Sequence, residues 1–252
     1  MPPSGLAILI GAGPTTGAGI ARILASPSHG NLAVALLSRT GDAQLADKLA
    51  KTSGGGILKA FQTDTSEKQL SKAFEDIKSW SKSIGDDLKL KLSIYNIKHS
   101  HKVSILEETA QQYTQSMETY ATGAVLFSQL SLKWMLDQYP EHAALPSGAV
   151  PMQKKGTIIF TGTLGSVRCS TAQFAAYGGG RAAVRITDNY HKYHADESGK
   201  IETEGGGEDA EAVLQGKKMR AESVGKLYLH AMEQECDLWI HELDMRPAAE
   251  KF

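Results

Sequence analysis

Glycines at 11, 13, 17 and 19 follow the apolar run Leu6–Ile10 and lead into a segment with helical apolar spacing at Ile20, Ile23 and Leu24. A buried strand that feeds such a turn and then a helix makes an anion site. The unpaired N–H groups of the first helical turn converge there on one point. Glycine is needed where the backbone turns tightly, where a phosphate approaches it, and where helix packs on strand. The spacing over Gly13, Gly17 and Gly19 is G-x-x-x-G-x-G, and Gly11 adds a partial overlap with G-x-G-x-x-G. An ordinary glycine turn is the plain alternative. Its place after the first strand, and the residues that follow, favour a dinucleotide loop.

The second apolar run, Leu32–Leu37, ends in Ser38-Arg39-Thr40. The tip of the second strand meets the adenosine ribose in a dinucleotide fold. An acid there binds the 2′-hydroxyl of NAD, whereas an Arg accommodates the 2′-phosphate of NADP. Arg39 stands at the tip and Asp42 lies past the turn, so NADP is the expected cofactor.

Other chemistry-bearing residues carry less. His99 with His101, and His191 with His194, lack acid or Cys partners at a metal-ligand spacing, so no metal is expected. Cys169 reads as a small apolar side chain, since no His is placed to activate it. Lys68, Lys72, Lys78 and Lys82 alternate with acids along one helix and form a solvated face, with no nucleic-acid patch.

The elements that would position these groups alternate regularly. Helices are expected at 42–51, 67–83 and 107–138 (with a break at Gly123), then near 173–193 and 217–235. Strands are expected at Ile57–Phe61, Leu88–Tyr95, Thr157–Thr163 and Leu238–Leu243. Strand–helix alternation predicts an α/β fold, a Rossmann-type doubly wound parallel sheet. The chain of 252 residues reads as a single NAD(P)-binding Rossmann domain over 1–252. The stretch at about 195–215 is acidic, Gly-rich and nearly devoid of apolar residues, which predicts a mobile loop and a sixth strand missing or reduced. A net charge of -1 gives no bulk attraction to nucleic acid or to a membrane. No apolar run approaches the roughly 20 residues that span a bilayer. The N-terminus lacks the charged region of a signal peptide, and the two cysteines lack ligand spacing, so a cytoplasmic protein is expected.

Together these pieces resemble the short-chain dehydrogenase/reductase family, and within it a group of fungal-type members. The resemblance is carried by Gly13–Gly19, Arg39, Asp64 after the third strand, Asn96 after the fourth, and Tyr177 opening a helix after the fifth. The phrases Phe160-Thr161-Gly162 and His241-Glu242-Leu243-Asp244-Met245-Arg246-Pro247 add to it. It implies that Gly13, Gly17 and Gly19 shape the pyrophosphate loop and that Thr15 supplies a hydroxyl donor. It further implies that Asp64 bonds the adenine amino group, that Asn96 sits beside the adenosine ribose, and that Tyr177 is the general acid. It also implies a homodimer built from the long helix and the helix after Tyr177.

The departures from the family pattern concern the catalytic half. A phenol with an ordinary pKa near 10 needs a nearby cation to work at neutral pH. The family places a lysine one helical turn after the tyrosine; here that position is Arg181. Arg keeps the charge on the same face but is planar and bulkier, so the swap is not conservative. The family's substrate-binding serine falls on Leu164, with Thr163 the candidate hydroxyl one residue earlier. Its relay asparagine falls on Tyr120, and its Asn-Ala-Gly phrase is Asn96-Ile97-Lys98. Two functions follow as expectations. The first is an NADPH-dependent oxidoreductase reducing a carbonyl or imine of a small organic molecule, of the kind met in secondary metabolism, with Tyr177, Arg181 and Thr163 as the catalytic set. The alternative is an NADP(H)-binding Rossmann protein without ordinary reduction, performing a non-redox cyclisation or isomerisation or acting as a cofactor-responsive binding protein.

Overall fold

The computed structural model describes residues 2–99, 103–139, 154–163, 166, 175–187, 193–197, 210–234 and 242–249. Seven strands form one parallel sheet in the order β3-β2-β1-β4-β5-β6-β7. They are β1 (Leu6–Ile10), β2 (Ala33–Ser38), β3 (Leu58–Gln62), β4 (Leu90–Tyr95), β5 (Thr157–Gly162), β6 (Tyr193–Glu197) and β7 (Glu242–Met245). β1 is apolar and buried along its whole length, as a strand covered by helices on both faces must be.

Helices cover both faces, which is the doubly wound arrangement expected. On one face α1 (Thr16–Ala25), α2 (Ala43–Thr52) and α8 (Ala221–Glu233) contribute Ile20, Leu24, Leu49 and Tyr228 to a buried cluster with Leu9 and Ile94. On the other, α3 (Glu67–Ile84) and α5 (Gly123–Asp137) pack Phe74, Ile77, Phe127 and Trp134 against Ile8, Ile10 and Tyr95. The long helix expected from 107 to 138 is in fact α4 (Ala110–Met117), one π turn over Glu118–Thr122, and α5. The interruption thus falls just before Gly123. A Cβ on Gly123 would stand 2.6 Å from the Tyr95 hydroxyl, so the glycine is what lets this kinked helix approach β4. α6 (Ala175–Thr187) and α7 (Ala210–Leu214) complete the described helices.

The sixth strand, expected to be missing or reduced, is present. β6 pairs on both sides, Thr161 with Ala195 and Ala195 with Leu243. Its residues, Tyr-His-Ala-Asp-Glu, carry no apolar alternation. Backbone pairing to two neighbours decides the strand here, overriding side-chain pattern. The last strand therefore lies beside β6, away from β5, and β7 forms the sheet edge. The acidic stretch expected as a mobile loop contains strand at 195–197 and helix at 210–214; residues 198–209 lie outside those described. The first part of the expected closing strand, 238–241, lies outside them as well.

Candidate active site

The strand order reverses between β1 and β4, and a crevice opens at the C-terminal ends of these strands. Gly11 holds φ at +87°, a left-handed conformation open to glycine, and a Cβ there would fall 2.0 Å from the Asn96 carbonyl oxygen. That contact joins the ends of β1 and β4. Asn96, 8% exposed, donates from Nδ2 to the Gly11 carbonyl at 3.0 Å, and its backbone N–H donates to Ile10 at 2.9 Å. Asn96 is therefore a brace across the floor of the crevice as well as part of its lining.

The cleft encloses about 910 Å³ and runs from the tip of β2 to α6. Gly13, Thr15, Arg39, Asp64, Asn96 and Arg181 all lie on its wall. Thr15 occupies the N-cap of α1 without its side chain capping the helix. A Cβ on Gly13 would meet nothing within 4 Å, so the turn leaves an open cradle at a helix N-terminus. A dinucleotide's pyrophosphate fits such a cradle, since amide N–H groups and the helix dipole both favour an anion. Gly17 and Gly19 act beneath the cleft. A Cβ on Gly17 would stand 2.9 Å from the Gly11 carbonyl oxygen, and one on Gly19 would stand 2.2 Å from that of Ala221. Gly17 thus packs the helix onto its loop, and Gly19 lets α8 cross α1 at close range.

At the outer end, the Arg39 side chain is exposed, while its backbone carbonyl accepts from Gln62 Nε2 at 3.0 Å. Asp64 Oδ1 accepts from the backbone N–H of Ser66 at 2.9 Å and from its hydroxyl at 2.6 Å. Ser66 is the N-cap residue of α3, but its hydroxyl is turned to Asp64.

The inner end is built on α6. Its N-terminus is capped by Glu108, whose carboxylate accepts from the Ala176 N–H at 3.1 Å. Ser116 on α4 donates to the Ala176 carbonyl at 2.7 Å. Gly179 and Gly180 serve this contact. A Cβ on Gly179 would meet the Tyr113 hydroxyl at 2.7 Å, and one on Gly180 would meet Tyr120 at 2.6 Å. Their cost in helix propensity is about 1 kcal/mol each against alanine, and the close seat of α4 offsets it.

Arg181, four residues after Tyr177, is 7% exposed and points its guanidinium inward. Nη1 donates to the Thr161 carbonyl at 2.6 Å, and Cζ lies 4.6 Å from the centre of the Tyr120 ring and 5.5 Å from that of Tyr177. Tyr120 and Tyr177 meet edge to face at 5.9 Å. The Tyr120 hydroxyl donates to the His99 carbonyl at 2.7 Å and accepts from the His99 N–H at 2.6 Å. Burial pushes the Tyr120 phenol above its ordinary pKa, against the opposing charge of Arg181. Burial likewise raises Tyr95, whose hydroxyl donates to the Thr119 carbonyl.

Two members of the expected catalytic set stand apart from the cleft wall. Tyr177 is half-buried behind it, against Tyr120. Thr163 is half-buried at the end of β5, where its carbonyl accepts from the Ser166 N–H at 2.9 Å and hydroxyl at 2.7 Å. Leu164, Cys169, Cys236, His101 and His191 lie outside the described residues. Sequence reasoning passed over Gly11, Lys98 and His99 as site residues. Gly11 had a signal in its G-x-G pairing with Gly13; Lys98 and His99 had only their position after Asn96. Among the described residues no cluster of three His, Cys, Asp or Glu could hold a metal ion, and no helix is long and apolar enough to cross a membrane.

No family model matches the chain, and no curated protein matches its sequence. Solved structures do match. An alcohol dehydrogenase from the archaeon Thermococcus sibiricus, complexed with 5-hydroxy-NADP, superposes with a TM-score of 0.74 at 14% identity, over 98% of both chains. A short-chain dehydrogenase from Rhodopseudomonas palustris gives 0.68 at 20% identity over 96% of this chain and 98% of its own. A 3-oxoacyl-[acyl-carrier protein] reductase from Brucella melitensis gives 0.71 at 16% identity over 98% of both. The chain thus has the fold of the short-chain dehydrogenases and reductases.

Proposed function

We propose that this chain is a short-chain dehydrogenase/reductase that uses NADP(H) to reduce a carbonyl or imine of a small organic molecule. One observation carries the reading. A single cleft joins the Gly13–Thr15 cradle, Arg39 at the tip of β2, and Arg181 at its inner end. Gly13 and Thr15 would hold the pyrophosphate, Arg39 the 2′-phosphate, and Asp64 and Asn96 the adenosine. When bound, the reduced nicotinamide supplies a hydride to the substrate carbon. Tyr177 would hand its phenolic proton to the substrate oxygen, and Arg181 beside it would stabilise the phenolate left behind. Thr163 at the end of β5 would orient that oxygen.

The test is NADPH oxidation with a panel of ketones, aldehydes and imines, alongside a fluorescence titration of NADPH. Turnover lost in Tyr177→Phe, with NADPH affinity unchanged, supports the reading. No binding of NADPH by the wild type overturns it.

One observation favours a second reading, a cofactor-binding protein without ordinary reduction. The Arg181 guanidinium is engaged with the Thr161 carbonyl and covers Tyr120. NADPH binding with no turnover, and reductase activity gained in Arg181→Lys, would select it.

The same reading includes a homodimer. Val125, Leu132 and Leu136 form an exposed apolar stripe along α5, and Tyr113 is exposed on α4. Two copies joined on this face would bury it, and Leu132→Glu should then release monomers in sedimentation equilibrium. We also place the protein in the cytosol, in keeping with two cysteines and no ligand spacing between them.

A further inference from the structure

We propose that Arg181 is a receptor for a carboxylate on the substrate, so that the cleft selects anionic carbonyl compounds over neutral ones. The inference rests on the reading of the cleft as a substrate site beside the cofactor, and it names the substrate class.

Arg181 is a permanent cation at 7% exposure. Its contacts among the described residues are neutral: the Thr161 carbonyl and the Tyr120 and Tyr177 rings. Its Nε has no hydrogen-bond partner there. A guanidinium withdrawn from water without a counter-ion is costly, because carbonyl and ring dipoles offset only part of the lost hydration. Yet this cation stands on the wall of the cleft, where a ligand's charge can complete it.

The surroundings support an anion at this end. Lys98, exposed on the same wall, follows Asn96 at the end of β4, and its neighbour His99 is bonded to the Tyr120 hydroxyl that Arg181 covers. Arg181 reaches the end of β5, the strand paired with β4. Two cations therefore stand on the wall of the inner end, while the carboxylate at the start of α6, that of Glu108, is engaged by the Ala176 N–H. The acids Asp64 and Glu67 lie at the outer end beside Arg39, and Glu118, also on the wall, is exposed to solvent. A planar guanidinium matches a planar carboxylate, which takes two parallel N–H donors. The reaction remains a simple reduction: hydride to the carbonyl carbon, a proton from Tyr177 to its oxygen, and the carboxylate unchanged.

The experiment compares acids with their esters on the NADPH-loaded protein: acetoacetate against methyl acetoacetate, and benzoylacetate against ethyl benzoylacetate. Calorimetric binding of 3-hydroxybutyrate and benzoate is measured in parallel, with the shift each produces in melting temperature. Each acid should be preferred to its ester by at least tenfold in kcat/KM. Binding of the carboxylates should weaken at least tenfold in Arg181→Met and severalfold in Lys98→Met, with the NADPH Kd held within twofold. Equal use of acids and esters by the wild type, or carboxylate binding that survives Arg181→Met, overturns the inference. Should Arg181→Met fail to fold, the wild-type comparison and Lys98→Met decide. Carboxylates that bind through Arg181 without any NADPH oxidation leave this inference standing and defeat the reductase reading. Esters reduced while carboxylates neither bind nor turn over do the reverse.

Discussion

The guanidinium of Arg181 lies 4.6 Å over the ring of Tyr120, and the hydroxyl of that ring clamps both backbone groups of His99. Three elements are thereby joined at the inner end of the cleft: α6 through the cation, the π turn through the ring, and the segment after β4 through its amide. An arginine and a tyrosine thus lean on each other at this end of the cleft.

Tyr120→Phe keeps the ring beneath Arg181 and removes the clamp. The His99 N–H and carbonyl then lose the Tyr120 hydroxyl, and each such hydrogen bond contributes about 0.5–1.5 kcal/mol. The melting temperature should fall by several degrees, and amide exchange at His99 should accelerate at least tenfold. An exchange rate unchanged from wild type would show that the clamp does not hold this segment.

The crossing of α1 and α8 makes a prediction about stability alone. A Cβ on Gly19 would stand 2.2 Å from the Ala221 carbonyl oxygen, and one on Gly225 would stand 2.4 Å from that of Gly19. Both obstacles are backbone, so neither can swing aside. Gly19→Ala should destabilise by about 1–3 kcal/mol through overpacking, read as a lower urea midpoint at constant slope. Gly225→Ala should do the same. Their double variant should lose less than the sum, because one forced separation of the helices relieves both clashes. Full additivity would contradict a shared crossing.

Much of this fold was legible because β1 and β2 are continuous apolar runs and the glycine turn sits between β1 and α1. The gathering of Gly13, Arg39, Asp64 and Asn96 on one cleft was legible for the same local reason: each lies within three residues of a strand's C-terminal end. β6 was not, since Tyr-His-Ala-Asp-Glu has no strand pattern and is held by pairing with β5 and β7. The inner end was only half legible. The i, i+4 spacing put Arg181 on the face of Tyr177, but nothing local showed that the guanidinium would turn to Thr161 and Tyr120. Nor could the sequence show that Gly179 and Gly180 make room for Tyr113 and Ser116 on α4 and for Tyr120 in the π turn.

Tyr95 and Tyr120 give the fold a sensitivity to alkali. Burial raises both phenols above their ordinary value near 10. Below that pH the folded and unfolded chains both keep these protons, and stability does not depend on them. Above it the unfolded chain ionises while the native chain does not, so stability falls as pH rises, by about 1.4 kcal/mol per pH unit for each phenol. Tyr95→Phe should flatten the decline by about one phenol's share, measured as urea midpoints between pH 9 and 11.5. An identical slope in the variant would mean that Tyr95 ionises without unfolding.

Arg39 is the residue on which the proposed preference for NADPH rests. The turn that carries it is fixed: Gln62 Nε2 donates to the Arg39 carbonyl at 3.0 Å, the Ser38 hydroxyl accepts from the Gly41 N–H at 3.1 Å, and Gly41 holds φ at +59°. The side chain itself stays exposed on the cleft wall, with no acid at the tip of β2 to hold a ribose 2′-hydroxyl. A 2′-phosphate should therefore gain charge-assisted hydrogen bonds from Arg39 that a hydroxyl cannot. Such bonds contribute about 1.5–3 kcal/mol, or roughly 10- to 100-fold in affinity, with solvent exposure placing this site near the lower end. Arg39→Ala should raise the Kd for NADPH about tenfold and leave that for NADH within twofold. The wild-type preference should also shrink as salt is added, because an exposed ion pair is screened. A wild type that binds NADH as tightly as NADPH would remove Arg39 from the cofactor site.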